Sequence, residues 1–501
     1  MRVLFVVLPY GISKELKVKH KLRSFVAHPY GILSIATYLK KNTDADVRVF
    51  DCNTKENILQ ELQNEVAAFK PDIVGLSMMF DSSYSSVRDI TGAIVDQSGT
   101  TTIVMGGAAA TASYETILKE QPLIDAICYG EGELPFLDYV VNGNFLYPSW
   151  ATRGKVPIRT KVENLDEVID IDYSFIDPSE YPMQEAFSPR ARACRPHRQF
   201  FVVTSRGCPF NCNFCINSAN PDKSMRYASV DAIIDHVRGL IDVYGMDTLT
   251  FYDDQILFNK KRAKELFRRL APFNLRIECP NGLSVAFIDD ELARLMKEAG
   301  MDTICLAIES GSPHVLNDII HKPLHVEQVK PVVNILRKYD FWITGYFVVG
   351  LPGETSTDRL ATSLRIKSWG LDWAGISNAC PTRGSQLYAE CFEKGYIPKN
   401  MKIDDLDMNK FCITTPDFTP EQLVRDSYLM NLDVNFVNNH RMDIGDYKTA
   451  MRAFQEVLER YPDHAFALYY MARCANELFN KEMIKGNEWK DYADNFGIAY
   501  L

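Results

Sequence analysis

No stretch of the 501-residue chain comes near the ~20 consecutive apolar residues that a bilayer-spanning helix needs. The apolar start "MRVLFVVLPYG" breaks at Pro9 and Gly11 and lacks a small-residue cleavage pattern, so it reads as a buried strand rather than a secretion signal. Positive charge is also short, with 55 Lys and Arg against 65 Asp and Glu, a net −10. A general nucleic-acid binder needs a basic surface to release counterions, so nucleic acid is not expected as a partner. The twelve cysteines are mostly scattered rather than arranged as a disulfide framework. That usage suits a reducing, cytoplasmic compartment, where a cysteine cluster more often binds metal than forms bridges. The composition is globular, 46% apolar and 24% charged, and the length suits about three domains.

Within residues 1–145, the apolar strand candidates "VLFVVL", "VRVF", "DIVGLSMMF", "TTIVMGG" and "DAICYG" alternate with helical patterns. Five βα units predict an α/β, Rossmann-like, doubly wound parallel sheet whose ligands bind at the carboxyl ends of its strands. Residues 146–195 carry Pro157, Pro178, Pro182 and Pro189 with little periodicity and read as an interdomain linker. The rhythm resumes in 196–395, where about six βα units suit a partial (β/α)6 barrel better than a closed eight-stranded one. Residues 396–501 turn helical and polar. A helix ending before Pro462 places Tyr447, Ala450, Phe454, Val457, Leu458 and Tyr461 on one face. Residues 440–475 resemble one tetratricopeptide-type helix pair. There is no second copy, so the pair is expected to pack on the barrel or on a protein partner.

The most informative stretch is "TSRGCPFNCNFCINS", with Cys208, Cys212 and Cys215 on a loop after an apolar strand. A structural zinc site wants four ligands, and no second cysteine or histidine pair follows. Three thiolates at this density suit an iron–sulfur cubane with one iron left open, which points to chemistry rather than plain electron transfer. Three unrelated buried thiols are the bland alternative.

C-x3-C-x-aromatic-C, with Phe214 in the aromatic position, resembles the signature of the radical S-adenosylmethionine superfamily. The resemblance implies a [4Fe–4S] cluster whose open iron is chelated by S-adenosylmethionine, and reductive cleavage to a 5′-deoxyadenosyl radical. It also implies a low-potential electron donor of flavodoxin or ferredoxin type. Other strand-end residues continue the match: Asp253 and Asp254 in "FYDDQ", Glu309 in "LAIESGS", and Gly345, Gly350 and Glu354 in "GYFVVGLPGET". By the family pattern these surround the amino group, ribose and adenine of S-adenosylmethionine. Lys322-Pro323 also occurs in relatives, and position alone assigns it no role.

In the N-terminal sheet, Ser77-Met78-Met79 and Gly106-Gly107 resemble the Ser-x-Leu and Gly-Gly elements of cobalamin-binding domains, with Met79 replacing leucine. Glycines let the backbone approach a bulky nucleotide tail, and a strand-end hydroxyl can bond it. "YGEGE" adds Gly130 and Glu131 after the fifth strand. In "VAHPYG", His28 and Gly31 match the histidine-ligand motif of such domains, but Val26 stands where an Asp should orient the imidazole. His28 is therefore a candidate cobalt ligand for which the role of helix-entry residue is preferred.

The joint resemblance implies a cobalamin-dependent radical enzyme, foremost a C-methyltransferase on an unactivated carbon of a small-molecule, lipid or peptide substrate. A non-methylating cyclase or rearrangement enzyme, or a cobalamin-binding sensor, are the alternatives. Methylthiotransferases carry three further cluster cysteines in this N-terminal region, which here has only Cys52 and Cys128. Cys380 and Cys391 read as buried thiols and Cys194 as an inert linker residue. Arg190, Arg192, Arg195 and Arg198 read as a solvated linker face.

Overall fold

The structure is a computed structural model that describes residues 1–10, 27–181, 198–406 and 410–480. Val26, Cys194, Pro182, Pro189, Arg190, Arg192 and Arg195 lie outside these residues. The first sheet contains β1 (Arg2–Val7), β2 (Asp46–Asp51), β3 (Ile73–Ser77), β4 (Thr102–Gly106), β5 (Ala126–Cys128) and β6 (Trp150–Ala151). Their order is β2-β1-β3-β4-β5-β6, parallel except for β6, which runs antiparallel to β5. β1 is apolar without alternation because both its faces are covered. Val3, Phe5 and Val7 pack under the helices Tyr30–Asn42 and Glu133–Asn142, while Leu4, Val6 and Leu8 pack under Ile58–Phe69 and Val87–Gln97. Each of these buried side chains contributes about 2 kcal/mol of transfer free energy. Chain order reverses between β1 and β3, so the crevice for a ligand opens beyond their carboxyl ends.

Residues 146–181 do more than cross between domains. Trp150 is fully buried against Phe136, Tyr139 and Phe145 and adds β6 to the first sheet. Val162, Leu165, Val168 and Ile169 join the barrel core, and the buried Tyr173 hydroxyl donates to Phe201 O at 2.7 Å. Few of these positions fall on a regular period, which is why the segment looks unstructured in sequence.

The barrel strands are β7 (Gln199–Val202), β10 (Thr248–Phe251), β11 (Arg276–Glu278), β12 (Thr303–Glu309), β13 (Trp342–Val349) and β14 (Trp373–Asn378). A small antiparallel pair, β8 (Ser205–Arg206) and β9 (Arg226–Tyr227), flanks the loop after β7. β7, β10 and β11 form one parallel sheet, and β12, β13 and β14 another. Leu283 joins them, donating to Cys305 O at 2.7 Å and accepting from Ala307 N at 3.0 Å. The result is six parallel strands in chain order, an open barrel.

At the β14 edge, the buried Asn435 side chain accepts from Ala374 N at 2.7 Å and donates to Ala374 O at 2.9 Å. An amide thus takes the place of a further strand on an otherwise open edge. The helices Tyr447–Arg460 and Ala465–Asn480 pack through Phe454, Tyr470 and Cys474 and meet the barrel through Phe436 and Trp373, 5.6 Å between centroids. Ala450 and Phe454 are buried in this interface, whereas Tyr461, beyond the helix end, is 38% exposed. Arg441 anchors the same region by donating to Asp372 through Nε (2.5 Å) and Nη2 (3.0 Å), where Arg337 also donates at 2.7 and 2.8 Å.

Candidate active site

The loop after β7 begins at Gly207, whose φ of +104° is left-handed, and then carries the three cysteines. Cys215 N donates to Cys212 O at 3.0 Å, giving a tight turn. Neighbouring elements clamp it: Asn213 N donates to Ile320 O (3.1 Å), Leu387 N to Asn213 O (2.9 Å) and Gln386 N to Ser218 Oγ (3.1 Å). Cys208, Cys212 and Cys215 are unbridged and line one cavity of about 170 Å³ with Phe214, Asp254, Glu309 and Lys322. Burial raises the thiols of Cys212 and Cys215 to about 11, and raises that of Cys208 as well. Iron reverses this, because a coordinating thiol is bound as thiolate. Among the described residues no three acidic, His or Cys side chains converge on a single ion. Three unbridged thiols around one cavity fit a cluster that takes one thiolate per iron.

Of the strand-end candidates, the structure brings some to this cavity and not others. Asp254 lines it and accepts from Asn217 Nδ2 at 3.1 Å. Asp253 lines neither this cavity nor the larger one described below. It is buried and accepts from Thr204 N (3.1 Å), Thr204 Oγ1 (2.7 Å) and Ser205 Oγ (2.5 Å), tying β10 to the loop that precedes the cysteines. Glu309 does line the cavity, at a bulge ending β12 and with φ +72°. A left-handed glutamate is held by its surroundings at a cost of about 1–3 kcal/mol, the kind of strain found at functional sites. Its carboxylate accepts from Lys322 Nζ at 2.8 Å. Lys322 is the residue that sequence reasoning left without a role. Burial lowers its pKa, but Glu309 and the nearby thiols outweigh burial and the net shift is upward.

Gly345, Gly350 and Glu354 line neither cavity. Gly345 sits within β13, where a Cβ would come 2.7 Å from Leu371 and 2.8 Å from Phe347. Gly350, at φ +89°, donates its N–H to Glu354 Oε2 at 2.5 Å, and a Cβ there would meet Leu423 at 2.6 Å. Burial pushes Glu354 up to about 7. Gly350 and Glu354 shape the turn after β13, Gly350 against Leu423 of the helix Pro420–Leu432, while Gly345 packs within β13 against Leu371 and Phe347.

A second cavity, of about 580 Å³, lies between the strand ends of the first sheet and the barrel. Ser77, Gly106, Gly107, Gly130 and Glu131 all line it. At Gly107, φ is +106° and a Cβ would lie 2.5 Å from Met78 O, so only glycine lets the β3 and β4 ends close together here. Apolar walls from Tyr10, Met79, Phe80 and Tyr252 complete a chamber over a glycine-rich floor. Such a surface fits the broad face of a corrinoid. Glu131, by contrast, is spent on the protein: it accepts from Arg206 Nη1 (3.1 Å), from Val162 N (2.9 Å) and from Arg226. Arg206 also donates to Glu133 Oε1 at 2.6 Å, so two carboxylates of the first domain hold two arginines of the β8–β9 hairpin. Burial would raise Glu133, but Arg206 outweighs it and the carboxyl is held below its ordinary range.

His28 also lines the second cavity and lies two residues before the start of the helix at Tyr30. Its ring lies among Tyr173, Tyr181, Phe200 and Phe201 at 4.8 to 5.5 Å. Burial pushes its pKa down to about 3, and Nδ1 has no hydrogen-bond partner among the described residues. Among the described residues, no carboxylate bonds this nitrogen in the way that usually orients a metal-bound histidine. Asn281 lines both cavities and donates to Tyr252 O at 2.9 Å.

An open barrel with a cysteine-lined cavity, joined through Asn281 to a second cavity at the strand ends of a doubly wound sheet, defines a class of two-site α/β protein. Residues 202–365 match the radical SAM superfamily, and residues 22–140 match the B12 binding domain. An uncharacterized methyltransferase of Pyrococcus horikoshii is 30% identical, over 80% of this chain and 87% of that one. Cytidylyl-2-hydroxyethylphosphonate methyltransferase of Streptomyces wedmorensis is 28% identical, over 73% and 75% of the two chains. The radical S-adenosylmethionine methyltransferase TsrM of Kitasatospora setae, solved with cobalamin and a [4Fe–4S] cluster, shares the fold. It aligns at a TM-score of 0.65 and 15% identity, over 86% of this chain and 88% of that one. This chain belongs to the radical SAM superfamily, in its B12-binding, methyltransferase-like branch. Its cofactors are a [4Fe–4S] cluster, S-adenosylmethionine and cobalamin. No helix among the described residues is long and apolar enough to cross a membrane.

Proposed function

We propose that the chain methylates an unactivated carbon of a small-molecule, lipid or peptide substrate. The observation that carries this reading is Asn281, which belongs to both cavities, so a substrate there could be reached from either cofactor site. When bound, the cluster with S-adenosylmethionine supplies hydrogen abstraction, and cobalamin supplies a transferable methyl group. In this reading Cys208, Cys212 and Cys215 ligate the cluster, while Phe214, Asp254 and Glu309 orient S-adenosylmethionine. Ser77, Gly106, Gly107 and Gly130 cradle the corrinoid, and the apolar walls of the larger cavity keep water from the reacting carbon. Asp253, Gly350 and Glu354 act from behind by holding the strand ends, Gly345 by packing within β13, and Glu131 by holding the hairpin. His28 fills an aromatic box rather than ligating cobalt. A low-potential one-electron donor is required from outside the chain.

The test is product analysis of reconstituted, reduced enzyme with its substrate. Methylated product together with both 5′-deoxyadenosine and S-adenosylhomocysteine is expected. Deoxyadenosine with an unmethylated product would leave a radical enzyme of the cyclase or rearrangement kind.

A further inference from the structure

Two of the five non-glycine residues with positive φ in the described chain serve one ion pair. Glu309 itself sits at +72°, and His321 at +62° turns the chain immediately before Lys322. Backbone strain of this kind persists only where the surroundings over-determine it. The pair it presents is Lys322 Nζ to Glu309 Oε1 at 2.8 Å, each side chain only 12% exposed, on the wall of the cavity that the three cysteines line. Burying an ammonium and a carboxylate costs several kcal/mol per ion before their attraction is counted, so the pair is a poor device for stability alone. In a low-dielectric cavity, however, a fixed charge acts strongly on any neighbouring group whose charge changes.

The group whose charge changes here is the cluster, which becomes one unit more negative when it takes an electron from a low-potential donor. Cluster potentials follow local charge and solvent exposure. We propose that Lys322 and Glu309 form a charge couple that sets the reduction potential of the cluster, Lys322 favouring the reduced state and Glu309 opposing it. Lys322 is thus a positioning and tuning residue. The inference rests on the cluster assignment and is independent of methyl transfer, since it concerns the first electron only.

The experiment is an anaerobic potentiometric titration of the full-length, reconstituted protein, with no substrate and no S-adenosylmethionine. The reduced cluster is followed by electron paramagnetic resonance, and iron and sulfide contents are matched between samples. In Lys322→Met the ratio of reduced to oxidised cluster at a given poise is expected to fall about tenfold, a downward shift of about 59 mV for a one-electron couple. Glu309→Gln is expected to shift it upward, and Lys322→Arg to stay at the wild-type value. Shifts of the same sign in Lys322→Met and Glu309→Gln, as solvent entry or a loosened cluster would give, would overturn the proposal. So would an unchanged potential in both. If Lys322→Met takes up no cluster, Glu309→Gln decides alone: an upward shift supports the couple and any other result refutes it.

Discussion

Replacing Arg206 by Met tests how the two domains are held over their shared space. Arg206 donates to Glu133 at 2.6 Å and Glu131 at 3.1 Å, across a sequence separation of 73 and 75 residues. Glu131 retains Arg226, whereas Glu133, only 3% exposed, is left with Ser34 Oγ at 2.6 Å as its hydrogen-bond donor. Removing one partner of a buried pair costs about 3–5 kcal/mol. The lower end applies, because the Arg206 side chain is itself 18% exposed and methionine replaces its stem. The sign with pH is specific. In the wild type the Glu133 carboxyl is held below its ordinary value, so its contribution is present above the unfolded pKa and lost as pH falls through the folded one. Without Arg206, burial is opposed only by the Ser34 hydroxyl and the backbone N–H of Glu133 itself, and the folded pKa is expected to rise above the unfolded value. The cost then grows as pH rises through that raised pKa and is relieved on acidification. Urea unfolding at pH 7.5 and pH 5.5 reads this out: the deficit of Arg206→Met relative to wild type is expected to shrink at the lower pH. An equal deficit at both values, or none, would refute the assignment of Glu133 as the buried partner.

Three further outcomes follow from individual contacts. Asp372→Asn leaves Arg337 and Arg441 facing a neutral amide where four of their donor contacts, and that of Ile343 N, now end. A loss of about 3–5 kcal/mol is expected, measured as a lowered thermal midpoint and early release of the C-terminal helices in hydrogen exchange. Gly107→Ala forces a Cβ against Met78 O and a left-handed φ on alanine, costing about 1–3 kcal/mol. Spectral titration with cobalamin should show the loss as weakened binding. His28→Ala should leave the Co(II) spin-resonance spectrum of bound cobalamin without any change in nitrogen hyperfine splitting. Splitting present only in the wild type would make His28 the cobalt ligand.

What could be read in advance followed from short-range physics. The continuous apolar run of β1 and the repeated strand–helix rhythm report burial on two faces, and the cysteine spacing sets three thiols on one loop. Ser77, Gly106, Gly107 and Gly130 were legible because a strand end followed by glycine is a local pattern. Asp253, Gly350 and Glu354 are also near strand ends and Gly345 lies within β13, and whether such a residue faces a cavity or the packing behind it depends on neighbours such as Leu423, distant in sequence. Lys322 and Arg206 escaped for the same reason, since each acquires its meaning from a carboxylate 13 or 73 residues away. Asn435, one of several polar residues in the stretch "NLDVNFVNNH", carries no sequence signal that it closes a barrel edge.

The claim on which the rest stands is that the three-cysteine cavity cleaves S-adenosylmethionine. Reduced, reconstituted protein given S-adenosylmethionine alone should release 5′-deoxyadenosine, and Cys212→Ser, prepared and reduced in the same way, should release none above the protein-free control. Equal release by the two proteins, or none from a wild type with its full iron and sulfide content, would contradict the account.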